Sequence, residues 1–256
     1  MSDYTYPILE FDASRDAILN PCPKALLRPL PQRGVLCFFA DVISDLALSG
    51  ALQQIGSLVS EIGLNPVYLM QREGKELFVC HPGVGAPLAA GFLEELIALG
   101  GRQFVACGSC GALKEGIGVG QLLILTAAVR DEGTSYHYLP AGHEVSASPS
   151  VVAALEKTFQ RCGLPYRLTK TWTTDALYRE TIERRAKRVS EGCEVVEMEA
   201  AAFFAVAEFR NVAFGQVVYG GDLVIPEGWD SRRWNARGNV RHLLFSLTVE
   251  ACSALE

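Results

Sequence analysis

Short apolar runs along this chain alternate with longer stretches in which apolar residues recur at helical spacing, the pattern of strands leading into helices. Gly34 to Phe39 predicts a strand and Asp41 to Ile62 an amphipathic helix. Glu76 to His81 predicts a strand, Pro87 to Leu99 a helix and Arg102 to Cys107 a strand. Gln121 to Arg130 follows as a longer strand. Ser148 to Cys162 is a predicted helix, capped by Ser148 with Pro149 at its first position. Arg167 to Thr171, Glu194 to Val196 and Ala213 to Tyr219 complete the predicted strands; Met198 to Phe209 and Val240 to Leu255 complete the helices. This order predicts a three-layer α/β/α fold with a mainly parallel, partly mixed central sheet, whose ligand sits beyond the carboxyl ends of the strands. Residues 1–33, punctuated by Pro7, Pro21, Pro23, Pro29 and Pro31, read as a Pro-rich lead-in, which leaves 34–256 as one domain.

Two strand ends carry chemistry. In Glu194-Val195-Val196-Glu197-Met198-Glu199-Ala200 an apolar strand runs into clustered carboxylates. Burying charge is costly unless it is paired or bound. A carboxylate can accept from two vicinal hydroxyls at once, and methionine offers a soft apolar surface to a sugar ring. Glu197, Met198 and Glu199 are therefore a candidate ribose grip, the plainer reading being a solvated acidic first turn. In Val105-Ala106-Cys107-Gly108-Ser109-Cys110-Gly111-Ala112 a strand reads as entering a Gly/Ser loop. There Gly108 and Gly111 would admit close backbone approach and Ser109 would add a hydroxyl.

Composition narrows the partners. Hydrophobic residues make up 49% and charged residues 20% of 256 residues, enough for a sizeable core. A net charge of −6 argues against nucleic acid. No apolar run approaches bilayer length, and Met1-Ser2-Asp3-Tyr4 lacks a basic-then-apolar leader, so neither a membrane nor export is expected. Eight cysteines, several in apolar strands, read as reduced thiols of the cytoplasm. Cys107 and Cys110 have redox spacing but do not open a helix. Gly116-Ile117-Gly118-Val119-Gly120 enters a strand rather than a helix, so it reads as a turn. Four histidines offer no second Cys/His pair for zinc, so no metal is expected; His137 reads as a base, a ligand or a structural residue.

Taken in order, the Gly-Ser-Cys-Gly-Ala and Val-Glu-Met-Glu-Ala segments resemble the nucleoside phosphorylase superfamily of purine nucleoside phosphorylases, uridine phosphorylases and methylthioadenosine nucleosidases. The resemblance spans roughly Val35 to Val224 and includes Gly83-Val84-Gly85-Ala86-Pro87, Val119-Gly120 to Ala128, and Gly133-Thr134-Ser135-Tyr136-His137-Tyr138. It implies cleavage of an N-ribosidic bond by phosphorolysis, giving base and ribose 1-phosphate. It implies no cofactor beyond inorganic phosphate as co-substrate, and a homo-oligomer, dimer or hexamer. Candidate contacts for that assembly are Ser135 to Tyr138 and Trp229 to Trp234.

Asp222, after Val217-Val218-Tyr219-Gly220-Gly221, matches the aspartate that shares a proton with the departing base in purine-cleaving members. The pyrimidine-reading glutamine and arginine are not evident in Asp175-Ala176-Leu177-Tyr178-Arg179-Glu180-Thr181, which favours a purine. Trp172 and Tyr178 are candidate stacking partners for the base, or else core aromatics. Two family features are missing. The phosphate arginines are replaced by Phe39-Ala40-Asp41 at one place and Ala106-Cys107 at the other. Phosphate would then fall to Ser109 and Arg130, with Arg33, Lys114, Arg179 or an arginine from a neighbouring subunit as further candidates. Alternatively water attacks, activated by Asp41 or Glu197, and the chain is a nucleoside hydrolase. A non-catalytic nucleoside-binding protein is the third reading, against which the retention of Asp222 counts.

Overall fold

The first apolar run, Arg33–Cys37, forms β1 at the middle of an eleven-stranded sheet. In the computed structural model residues 6–255 are described; Glu256 and the first five residues, including the Met1–Tyr4 stretch, lie outside them. After β1 come α1 (Ala40–Leu48), β2 (Gln53–Ser60), β3 (Gly63–Arg72), β4 (Lys75–Cys80) and α2 (Ala86–Ala98). The middle of the chain gives β5 (Gln103–Ala112), β6 (Leu122–Asp131), β7 (Glu144–Ser146), α3 (Pro149–Arg161) and β8 (Tyr166–Thr174). It ends with α4 (Ile182–Ser190), β9 (Cys193–Glu197), α5 (Ala200–Arg210), β10 (Ala213–Ile225), β11 (Gly228–Asp230) and α6 (Gly238–Ala254).

The strand order is β11-β10-β6-β8-β9-β5-β1-β4-β3-β2, with β7 paired to β6. Parallel pairs join β4, β1, β5 and β10, and join β6, β8 and β9; the remaining pairs are antiparallel. The three-layer arrangement follows from alternation along each strand. On β5, Phe104 and Ala106 pack into the core under α2 and α5, while Val105 and Cys107 pack into the core under α3 and α6. Because β10 also pairs with β5, strands β5, β10, β6, β8 and β9 close into a ring.

One edge of β5 changes partner along its length. Arg33 to Cys37 of β1 cover Gln103 to Cys107, and β9 covers only Gly111 and Ala112. Gly108, Ser109 and Cys110 lie in the gap between them, so β1 and β9 diverge there and leave a cleft at their carboxyl ends.

The structure corrects several expectations. The helix expected over Asp41 to Ile62 stops at Leu48, because Gly50 adopts a φ of 78°. Gly50 N donates to Ala47 O and Ala51 N to Leu46 O, a Schellman closure that satisfies the last carbonyls. Ile55 and Leu58 then enter the core from β2 rather than from a helix. Gly108 to Ala112 are not a loop; β5 runs straight through them, and their glycines serve close packing. A Cβ on Gly111 would lie 2.9 Å from Val196 Cγ1. Residues 6–32 carry one short turn, Pro7–Leu9, and run from α5, where Arg210 Nη1 donates to Arg15 O, to β2, where Leu27 N donates to Ile55 O. No helix among the described residues is long and apolar enough to cross a membrane.

Candidate functional site

The cleft widens into a cavity of about 730 Å³ lined by residues from the ends of β1, β5, β9 and β10 and from the segments that follow them. Three elements define its walls.

The first wall is the turn from β9 into α5. Glu197 is buried, and its Oε1 accepts from Thr173 Oγ1 at 2.6 Å and Thr171 Oγ1 at 3.2 Å. Its Oε2 accepts from Glu199 N at 2.8 Å and Ala200 N at 2.6 Å, so Glu197 caps the start of α5. Burial still pushes its pKa up against these four donors. Glu199 is also buried; its Oε1 accepts from Gly85 N at 2.6 Å, and its carboxylate also takes the Met198 amide. Desolvation, reinforced by the neighbouring Glu197 charge, raises the Glu199 pKa to about 8. Met198 lines the cavity between them.

The second wall is β10 and the strap that follows it. Asp222 Oδ2 accepts from Trp229 Nε1 at 2.7 Å, and its Oδ1 lies beside Gly111. A side chain at residue 111 would meet Val196 and Val224 first, which is why glycine stands there. Glu180, closing the short Leu177–Arg179 turn, lines the same cavity as Asp222. Burial first, and then the Asp222 charge, push its pKa up to about 7. The strap from residue 226 to 237 is pinned by Tyr219 Oη donating to Trp234 O at 2.6 Å and Arg232 Nη1 donating to Ile117 O at 2.7 Å.

The third element is Arg241 on α6. Its Nη1 donates to Asp41 Oδ2 at 2.7 Å, and its guanidinium lies 4.8 Å from the centre of the Phe39 ring. The Tyr219 phenol sits beside both Arg241 and Ser109, which puts the guanidinium and the Ser109 hydroxyl at one corner of the cavity. Arg241 Nε is buried with no acceptor among the described residues. A buried guanidinium donor without a partner is costly, and an anion is the group that would satisfy it.

The structure thus brings together Ser109, Gly111, Tyr178, Glu197, Met198, Glu199 and Asp222 on one cavity. It does not bring Gly108, Trp172 or Arg130 there. Gly108 lies behind Phe38, whose ring would sit 3.1 Å from a Cβ at that position. Trp172 is fully buried inside β8, which extends to Thr174, and its Nε1 donates to Asp131 Oδ2 at 2.8 Å. Arg130 is engaged on its own loop: Nε donates to Ser135 Oγ, Nη1 to Pro140 O and Nη2 to Leu139 O, with the guanidinium over the Tyr136 ring. It holds the segment around Thr134–His137 with one bond from each of its three nitrogens and does not line the cavity. Arg33 and Lys114 are bonded to Gln103 and Glu194, Arg179 and His137 are exposed, and none of them lines the cavity. Cys107 and Cys110 are free and buried, and burial holds the Cys110 thiol well above its usual pKa, so it stays protonated.

Two lining residues escaped the sequence reading. Arg241 stands one turn before buried Leu244, a lone charge on the apolar face of α6, and that misplacement is the signal that could have flagged it. Glu180 carries no such mark.

Comparison with known proteins agrees with this architecture. The model of the phosphorylase superfamily matches residues 32–239. A guanosine phosphorylase of Halorubrum lacusprofundi is 31% identical over 193 residues, covering 72% of this chain and 78% of that protein. A uridine phosphorylase of Thermococcus kodakarensis is 32% identical over 164 residues, covering 59% of each. Among solved structures, purine nucleoside phosphorylase from Toxoplasma gondii, in complex with immucillin-H, superposes with a TM-score of 0.76 at 21% identity, over 89% of this chain and 92% of that one. AMP nucleosidase from Bacteroides thetaiotaomicron gives a TM-score of 0.70 at 23% identity, over 88% of each chain. At these identities the two structures establish the shared fold alone.

Proposed function

The chain belongs to the phosphorylase superfamily and is an enzyme of the nucleoside phosphorylase kind, and from that premise we propose that it cleaves purine-type nucleosides by phosphorolysis, releasing base and ribose 1-phosphate. The observation that carries this reading is Arg241. The family's usual arginines are missing from the Phe39-Ala40-Asp41 and Ala106-Cys107 stretches, yet a guanidinium reaches the Ser109 corner from α6 with a buried donor to spare. Phosphate would accept from the Arg241 guanidinium and Ser109, while Asp41 orients the guanidinium from behind. The Glu199 carboxylate would accept from the ribose hydroxyls, with Met198 beneath the sugar and Glu197 holding the turn. The base would lie toward Tyr178 and Asp222, the latter stabilising it as it departs. Asp222 is what favours a purine; the uridine phosphorylase among the relatives keeps pyrimidines in the test.

Hydrolysis on the same fold needs a carboxylate able to take a proton from water. Asp41 is bound to Arg241, and Glu197 already accepts four hydrogen bonds, so neither is suited to that role. No cofactor is proposed beyond phosphate, and eight cysteines, free throughout the described chain, suit a reducing cytoplasm.

The deciding experiment measures free base and ribose 1-phosphate from a panel of nucleosides with and without phosphate. Base release that requires phosphate is expected, and Arg241→Met should raise the phosphate KM about 10- to 100-fold, the worth of a charge-assisted hydrogen bond. Release at equal rate without phosphate would replace this reading by hydrolysis. A homo-oligomer is also proposed, and light scattering should give a mass that is a multiple of the 27.8 kDa chain.

A further inference from the structure

Asp222 stands where the sheet holds its own strand least. On β10, Gly220 opposes Cys110 of β5 and Leu223 opposes Ala112, so three steps along β10 meet two along β5 and the extra residue falls at Gly221 and Asp222. A bulge of this kind releases a residue from the ladder and re-aims its side chain. The carboxylate is caught from the other edge of the strand. A turn at 226–227 folds β11 back so that Trp229 opposes Val224, and Asp222, two residues from Val224, shares its face. The indole reaches diagonally past Val224, and its Nε1 donates to Asp222 Oδ2 at 2.7 Å. No other group among the described residues donates to this carboxylate.

The strap that carries Trp229 is tied to the same bulge. Tyr219, just before it, donates to Trp234 O, and a Cβ on Gly221 would lie 3.0 Å from Trp234 Cβ and 3.1 Å from Cys110 O. Bulge, strap and indole therefore hold together as one unit. Core packing does not account for Trp229, which is 65% exposed; the bond to Asp222 does. It also makes the two carboxylate oxygens unequal. An indole N–H can only donate, so Oδ2 is committed as its acceptor, while Oδ1, beside Gly111 on the cavity wall, has no donor.

We propose that Trp229 is a positioning residue for Asp222: it holds Oδ2 so that Oδ1 is the oxygen presented to the base, and it takes up carboxylate charge as the base departs. The proposal rests on the phosphorolysis reading above. In that reaction the C1′–N bond breaks with its electron pair going to the base, and a phosphate oxygen bonds to C1′. The base takes its proton from Oδ1, and the negative charge left on the carboxylate is shared with Oδ2, where the indole N–H already points. A hydrogen bond to a charged acceptor is stronger than one to a neutral acceptor, so the contact tightens as the charge appears. Once its ester forms, hydrogen phosphate releases a proton to solvent, and Asp222 recovers one. Trp229 acts through Asp222 and has no need to touch the base.

The test uses the full chain with Trp229→Phe, which keeps an aromatic ring at the cavity mouth and removes the N–H. Because the residue is more than half exposed, the variant should fold with the Tm of the parent. Its kcat on a purine nucleoside in the presence of phosphate should fall about 10-fold, the low end for a hydrogen bond to a charged group, since the indole is open to solvent. The nucleoside KM should hardly change. In an Asp222→Asn background the same substitution should have almost no further effect on kcat, because the charge it serves is gone. A raised KM with kcat intact would make Trp229 a stacking surface for the base, and an equal loss of kcat in both backgrounds would make it a support of the strap. Either result overturns the proposal. Indole NMR gives a readout that needs no turnover. The Trp229 Nε1–H resonance, assigned from its loss in Trp229→Phe, should move upfield in Asp222→Asn as a carboxylate acceptor gives way to an amide. An unmoved resonance would overturn the contact even in an active enzyme. A parent chain that releases no base from any nucleoside would instead defeat the phosphorolysis reading, and this proposal would fall with it.

Discussion

On the wall of the cavity built from β9 and α5, Glu197 accepts from two threonine hydroxyls and two amides, whereas on the wall built from β10 and α6 Asp222 accepts from one indole and Arg241 Nε meets no acceptor. The first wall is complete without a ligand. Its geometry is fixed by hydrogen bonds inside the protein, and little beyond the spare acceptor capacity of Glu199 is left to offer. The second wall has donors and acceptors in excess of its internal partners, so its polar groups are matched only when something else fills the cavity. On the proposed function, binding and shaping would fall to the first wall and charge development during bond cleavage to the second.

That division can be broken most sharply at Asp222. Asp222→Asn is expected to lower turnover by about 10²–10⁴-fold while leaving nucleoside affinity nearly intact, with the largest loss on poor leaving groups. Steady-state kinetics across a leaving-group series would show it, and a uniform loss would move Asp222 to the structural wall. A smaller effect is expected at Glu199. Glu199→Gln should weaken nucleoside binding by about 1.5–3 kcal/mol in calorimetry. The same variant tests the cost of the completed wall. The Glu199 pKa is about 8 in the folded chain against 4.5 as the reference, so the folded state holds a proton that the unfolded state releases. Its contribution to stability is full below the lower value and is lost as pH rises toward the upper one. The Tm of Glu199→Gln should therefore exceed that of the parent at pH 9 and converge with it near pH 5. The smallest change is expected from Trp172→Phe. Losing the indole bond to Asp131 should cost about 1 kcal/mol of stability and leave the nucleoside KM unchanged. A raised KM would return Trp172 to the site.

The same contrast separates what was legible in the sequence from what was not. Val195-Val196-Glu197-Met198-Glu199 is contiguous, so its strand, its turn and its carboxylates could be read together. Asp222 was legible for the same reason, at the end of an apolar run and two glycines. Arg241 meets Asp41 across 200 residues of sequence, and no local pattern announces a contact of that separation. Arg130 and Trp172 misled because both lie at strand ends beside the motifs. Each strand runs past the expected end, so Trp172 alternates inward, and the loop after Arg130 folds back to occupy its donors. The expected Asp41–Ile62 helix failed at a single glycine, where a positive φ outweighed apolar spacing that suits either a helix or a strand. The sheet order itself, including the shift from β1 to β9 along β5 that opens the cleft, depends on long-range pairing and leaves no trace in any one segment.

The closed ring of β5, β10, β6, β8 and β9 has a consequence for traffic through the site. A strand in the ring is bonded on both edges, so spreading the sheet to admit a ligand would require breaking ladders on two sides at once. The 226–237 strap at the rim of the cavity hangs instead on a few hydrogen bonds, among them those from Tyr219 to Trp234 O and from Arg232 to Ile117 O. Moving the strap therefore costs less than parting the ring, so rim and ring differ in how readily each can yield to a ligand. Substitutions along the strap away from Trp229 are expected to change rates of ligand entry and release before they change the alignment of the cavity walls.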